Sequence, residues 1–143
     1  SQNFIAVGDQ ILLYYGGVNS PHTGQKFKQV ERVHKPMLGL ATLRRDGFVS
    51  LDADKEEGYL LTKPLTIDSQ QLHINVDASR GYLIIMVTDD QGHRIDGYTS
   101  PQVTGNHLDL NVTFDRSIEE LIGKEVRLGF RLKQSSLYSY WFI

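Results

Sequence analysis

The sequence contains no cysteine. Disulfides, thiolate metal sites and cysteine nucleophiles are therefore excluded. It has no apolar run near the ~18–20 residues that a membrane helix requires. An excess of one charge sign is also lacking: 15 Lys and Arg stand against 17 Asp and Glu, for a net charge of −2. That balance gives no support to a nucleic-acid partner, which calls for a basic patch. Proline is scarce at four residues, whereas 13 glycines punctuate the chain, as short strands and turns require. At 143 residues with 40% hydrophobic and 22% charged side chains, the composition is that of one ordinary globular domain.

What is present is mostly the period of β-strands. Two apolar runs, 4–7 and 11–15, flank Gly8-Asp9 and predict a tight hairpin. A hairpin alone is marginal and needs a sheet to join. It reads either as part of a neighbouring upstream domain or as an edge hairpin of this one. Residues 16–36 lack periodicity and read as a loop or linker with a basic stretch from Lys26 to Lys35. Alternation then begins at Met37. Asp46-Gly47 predicts a turn, because both residues tolerate positive φ, and Phe48 to Ala53 resumes a strand. Pro64 marks an edge strand, since proline cannot donate to a ladder. Leu72, Ile74, Val76 and Ala78 alternate with the polar His73, Asn75 and Asp77. Residues 82–87 are apolar on both faces and predict a central strand. Alternation recurs over 108–114, 126–132 and 137–142. Only residues 117–122 read as helical, with Ser117 as cap and Gly123 as stop. Short strands at this spacing, with one buried face each, predict an all-β chain: an antiparallel two-sheet β-sandwich of jelly-roll or concanavalin A-like type, with at most one short helix. The expected division is residues 1–36, a hairpin and loop belonging to or packing on an upstream domain, and residues 37–143, the sandwich.

The motifs of chemistry are sparse. None of His22, His34, His73, His93 and His107 stands at HxH, HxxxH or HExxH spacing, so no metal site is expected. His73 and His107 fall on polar strand faces, where exposure is the default. Asp46, Asp89 and Asp90 belong to turns. Asp52 and Asp77 sit on strands, where Asp is disfavoured. They would accept local hydrogen bonds, hold calcium, or, as a facing pair, serve glycoside hydrolysis. No EF-hand loop, GxSxG elbow or phosphate-binding glycine loop is present.

Aromatics remain, with six Phe, seven Tyr and one Trp. Phe48, Phe114, Phe130 and Trp141 are expected in the core. Both faces of the last strand are aromatic, so one must leave the core, for solvent, for another domain or for a sugar ring, with another domain ahead of a sugar. Tyr59, Tyr98, Tyr138 and Tyr140, with His107 as a polar neighbour, are the candidate carbohydrate contacts.

Three blocks of the sequence resemble a known module. Gly8-Asp9-Gln10-Ile11-Leu12-Leu13-Tyr14-Tyr15-Gly16-Gly17 resembles the last strands of five-bladed β-propeller glycoside hydrolases of the invertase and arabinanase kind. Residues 39–53, GLATLRRDGFVSLDA, are similar to the segment that follows such propellers in bacterial proteins, and Leu137-Tyr138-Ser139-Tyr140-Trp141-Phe142 is similar to the end of that region. The resemblance implies a non-catalytic accessory β-sandwich of a glycoside hydrolase. Such a module would pack on and support an upstream catalytic propeller in the parent chain, outside the cell or in the periplasm. The alternative is a carbohydrate-binding module that takes polysaccharide or oligosaccharide on exposed tyrosines. The family's catalytic carboxylates lie on the propeller, so no catalytic residue, metal or cofactor is carried over to this chain.

Overall fold

The computed structural model describes residues 4–18 and 35–143. His22, His34 and most of the stretch read as a loop lie outside the described residues. The chain is all-β, with an antiparallel three-stranded sheet and a larger antiparallel sheet of eight strands. It divides into two units, Ser1–Arg45 and Asp46–Ile143.

The first unit holds β1 (Ile5–Val7), β2 (Gln10–Val18) and β3 (Pro36–Arg44). Gly8, at φ 56°, makes the predicted turn between β1 and β2. The unit break falls after Arg45 rather than after residue 36, because β3 pairs with β2 along its whole length, from Gln10↔Arg44 to Val18↔Pro36. Gly39 is needed within that ladder: a Cβ there would lie 2.3 Å from Cζ of Tyr15, the residue directly opposite. Of the large apolar residues here, Ile11 is buried, while Tyr14, Tyr15, Met37, Leu38 and Leu40 are exposed. Asp46 has the expected positive φ of 54°. It does not close a hairpin, since the strands before and after it pair in different sheets.

The second unit contains β4 (Leu51–Ala53), β5 (Gly58–Leu61), β6 (Leu65–Thr66), β7 (Leu72–Thr88), β8 (Arg94–Thr99), β9 (Val103–Asn111), β10 (Glu125–Lys133) and β11 (Ser135–Phe142). Their registers show four antiparallel paths side by side. β10 and β11 run end to end along β7, from Arg127↔Thr88 to Phe142↔Leu72. β8 and β9 line the other side of β7. β4, β5 and β6 line the outer side of β11 and β10, which puts Pro64 at an edge as expected.

This ribbon must fold back on itself. Thr66 pairs with Glu125, and Leu72 pairs with Phe142. A straight path from 125 to 142 would measure about 55 Å, whereas the link from Thr66 to Leu72 reaches about 20 Å when extended. The rings of Phe130 and Tyr140, ~33 Å apart on a straight strand, have centroids 5.5 Å apart. The crease passes residues 54–57, 79–81, 100–102 and 134. There Gln134 has φ 45°, and residues 78–81 of β7 lie opposite only 134 and 135. The result is two layers, β4-β11-β7-β9 and β5/β6-β10-β7-β8, the sandwich that the alternation predicted.

The core between the layers takes Leu72, Ile74, Val76 and Leu137 from one side and Leu83, Ile85, Val87, Val126, Leu128 and Phe130 from the other. β7, with a neighbour on each side, is the central strand. Beyond the end of β8, the Ser100 N–H donates to the Ile85 carbonyl at 2.8 Å and the Ser100 hydroxyl accepts from the Ile85 N–H at 2.9 Å. The one helical element among the described residues is a 3-10 turn, Ile118–Leu121. The Ser117 hydroxyl caps it by accepting from the Glu119 N–H, and Gly123 ends it at φ 79°. Two expected core aromatics lie elsewhere. Phe48 is exposed, because it precedes an edge strand of three residues, and Trp141 is half-buried on the outer face opposite His73.

Candidate functional site

The crease brings the two strand aspartates together. Ser136 on β11 stands opposite Asp52 on β4 and opposite Asp77 on β7, so the three share one face. Two strand spacings place the aspartate backbones about 10 Å apart. They line a groove of about 380 Å³ that also includes Ser79, Arg80 and Gln134.

Its polar atoms have local uses. Asp77 Oδ1 accepts from the Ser79 N–H at 3.0 Å and from the Ser79 hydroxyl at 2.7 Å. Hydrogen bonds from Ser136 first and Ser50 second hold the Asp52 carboxyl below the usual carboxylate range. Glycoside hydrolysis with two carboxylates needs one whose pKa is raised, so that it carries a proton to the leaving group. Asp52 is tuned in the opposite sense. Among the described residues no group of three or more His, Asp or Glu is placed to hold a metal ion.

The tyrosines are distributed unequally. Tyr138 and Tyr140 line a mostly apolar hollow of about 410 Å³, walled by Val49 and Ser50 before β4, Leu51 of β4, Leu60 of β5, and β11 from Leu137 to Tyr140. It opens where β4, only three residues long, leaves the edge between the layers uncovered. A bulge between Leu137 and Ser139 shifts the β11 register there. The Ser139 Oγ is buried and has no hydrogen-bond partner. Tyr140 also rests on Phe130 of the core.

Tyr59 borders a separate hollow of about 200 Å³ that shares Leu51 and Leu60 with the first. Its hydroxyl lies 2.9 Å from where a Cβ on Gly129 would stand, so the side chain reaches across the outer face of β10 over that glycine. Tyr98, expected at the surface, is 1% exposed. Its ring packs at 6.2 Å from Phe114, and its hydroxyl donates to the Ser117 carbonyl at 3.2 Å. No face of that ring is available to a ligand.

His107 lies apart from the tyrosines, in a hollow of about 270 Å³ with Leu110 and Val112. Ile74↔Leu110 is followed by Val76↔His107, so β9 carries one extra residue. The bulge inverts the alternation and turns His107 toward the face of the core residue Val76. Its Nε2 bonds the Thr104 carbonyl at 2.7 Å. His73 departs from expectation too. It is buried rather than solvent-facing. Nδ1 contacts Asp109, Nε2 lies 3.2 Å from Gln71 Oε1, and the ring sits 5.7 Å from that of Trp141.

Sequence reasoning missed Ser136 and Ser139. A signal for Ser136 existed only jointly, in polar residues at 52, 77 and 136 that no local pattern connects. Ser139 carried none, because its environment is made by a bulge. No protein-family model, no curated protein and no solved structure matches this chain.

Proposed function

We propose that this chain is a non-catalytic accessory β-sandwich module of a glycoside hydrolase that packs on and supports a catalytic propeller. The observation that carries the docking role is the three-stranded sheet, whose apolar side chains stand in solvent on both faces. Tyr14 and Leu40 are directly opposite on one face with Leu38 beside them, and Leu38 is 77% exposed. Met37 and Tyr15 are exposed on the other. Contiguous exposed apolar surface of this kind marks an interaction site. The hydrolase context rests on the resemblance of the three sequence blocks. A non-catalytic role is supported by the local hydrogen bonds that engage Asp52, from Ser136 and Ser50, and Asp77, from Ser79.

The test is calorimetric titration of the chain into purified five-bladed propeller glycoside hydrolases of its source organism. Saturable binding is expected, lost in a Leu38→Glu, Leu40→Glu variant that keeps its melting temperature. Absence of binding, binding indifferent to those replacements, or turnover of polysaccharide by the chain itself overturns the reading.

A second reading, a carbohydrate-binding module using exposed tyrosines, is favoured by one observation: Tyr138 and Tyr140 line one mostly apolar hollow.

A further inference from the structure

Sheet edges expose unpaired backbone groups, and proteins blunt them with short strands, bulges, charge or proline. Among the described residues, every edge strand but one carries such a device. β1, β4, β5 and β6 have two to four residues each. β8 and β9 shift register against β7, and they carry Arg94, Asp96 and Asp109. β3 is the exception. It runs nine residues, Pro36–Arg44, and pairs with β2 along its length without a register shift. Its one proline is the first residue, and residues 37–43 are uncharged. Among the described residues no strand pairs with its other side. Met37, Leu38 and Leu40 stand exposed along it. An edge this long, straight and apolar is a template for another strand.

We infer that the outer edge of β3 holds the docking partner by strand addition, and that the added segment is an extended, uncharged strand with an acidic residue at each end. The inference rests on the docking reading proposed above and specifies how the partner is held. Main-chain hydrogen bonds supply the affinity in this mode, and alternate side chains of the added strand set the specificity. The N–H and C=O groups of alternate residues point away from β2, so about four residues of β3 offer both to a newcomer. The added strand lays its side chains beside Met37 on one face of the sheet and beside Leu38 and Leu40 on the other. Charge selects the occupant. From residue 35 to residue 45 the chain holds Lys35, Arg44 and Arg45 and no acidic residue. A second copy paired antiparallel over the full length of β3 is centred on Leu40, which sets Lys35 of each copy against Arg45 of the other. Parallel pairing in register sets each cation against itself. Like charges directly opposite destabilise a strand pair, whereas opposite charges stabilise it.

The test is amide hydrogen exchange in the full chain, measured alone, saturated with the propeller hydrolase of the calorimetric titration, and with two synthetic nonapeptides of alternating Val and Thr, one ended by Asp and Glu, the other by Lys. Strand addition slows exchange at alternate residues of 37–44, about tenfold at about 90% saturation, because only the free chain exchanges there. The acidic-ended peptide gives the same pattern, and the lysine-ended peptide binds more weakly. Ala41→Pro and Thr42→Pro separate the edge from the ladder, since of two neighbours one N–H faces β2 and the other faces outward. Whichever variant keeps the parent's melting temperature weakens binding about tenfold. A propeller that binds, and is lost in Leu38→Glu, Leu40→Glu, while the outward amides of β3 exchange as in the free chain overturns strand addition and leaves the docking reading standing. No propeller binding, with β3 protected by the acidic-ended peptide, overturns the propeller as partner and leaves the edge as the site. Failure of propeller and peptides alike overturns both. Equal binding of the two peptides overturns the acidic ends, and a dimer on sedimentation with β3 protected in the chain alone overturns the foreign strand in favour of a second copy.

Discussion

Replacing Gly81 with alanine tests the folded-over sheet directly. Gly81 lies at the crease of β7, where β10 gives way to β11. A Cβ there would stand 1.8 Å from the Lys133 carbonyl oxygen and 2.7 Å from its carbonyl carbon. Cβ contacts under 3.0 Å are essentially never seen, so the strands must separate by about 1.2 Å. The atoms met are backbone, which has no rotamer by which to escape. A ladder bond of ordinary length stretched that far is no longer a hydrogen bond. Losing about two such bonds at ~1 kcal/mol each, with core displacement of about 1–3 kcal/mol, gives a destabilisation of roughly 3–5 kcal/mol. For a unit of this size that lowers the melting temperature by about 12–40 °C. The assay is thermal and urea unfolding followed by circular dichroism. Gly58→Ala is the control within the same unit, since its Cβ would meet only the Ala53 side chain at an ordinary 3.4 Å. A Gly81→Ala protein that melts within ~4 °C of the parent, about 1 kcal/mol, would refute the crease.

Three further outcomes are expected. Tyr98→Phe removes the bond to the Ser117 carbonyl and lowers unfolding free energy by about 1 kcal/mol, whereas Tyr98→Ala costs about 3–5 kcal/mol; equal losses in urea titrations would show that the ring does not carry the packing. Gln134→Gly relieves an L side chain at φ 45° and stabilises by about 0.5–1 kcal/mol; a lower urea midpoint would contradict this. The folded pKa values of Asp52, Glu57 and Asp89 lie below the unfolded ones, through Ser136, Arg131 and the His93 N–H respectively. Their stabilisation is therefore complete above about pH 5 and lost as pH falls below about 4. Melting temperature measured from pH 7 to 3 should follow that course, with a shallower acid limb in Glu57→Gln, and stability rising on acidification would reverse the assigned sign.

The parts of the fold legible in the sequence are those where one strand face alone is buried. Val126, Leu128, Phe130 and Leu132 alternate with less apolar neighbours, and all four are core residues. The same rule misplaces His73 and Asn75, because burial on β7 is two-sided and polar groups are tolerated there where partners exist, as Asp109 and Gln71 are for His73. It misplaces His107 because one extra residue on β9 inverts a period of exactly two, and local sequence does not announce a bulge. Asp46-Gly47 illustrates the limit of turn chemistry. The positive φ follows from the residue type, but which strands meet across the turn is decided by ladders to β2 and β11 far away in sequence.

The pair Asp52 and Asp77, suggestive of chemistry in the sequence, has a mechanical explanation in the fold. A sheet that doubles back must lift backbone groups out of the ladder along the whole crease, and each needs another partner. The Ser79 N–H finds Asp77, the Gln134 N–H finds the Asp54 carbonyl at 2.9 Å, and the Tyr82 carbonyl accepts from the Ser135 hydroxyl at 3.0 Å. Aspartate and serine suit these positions because short side chains with hydrogen-bonding oxygens reach their own and neighbouring backbone. Polar residues at mid-strand positions, separated by tens of residues in sequence and united at one line across a sheet, are thus what a corner requires. A polar group at a sheet corner points to a ligand only when the corner itself leaves it unbonded. By that criterion Asp77, bonded to the backbone and hydroxyl of Ser79, belongs to the architecture of the corner.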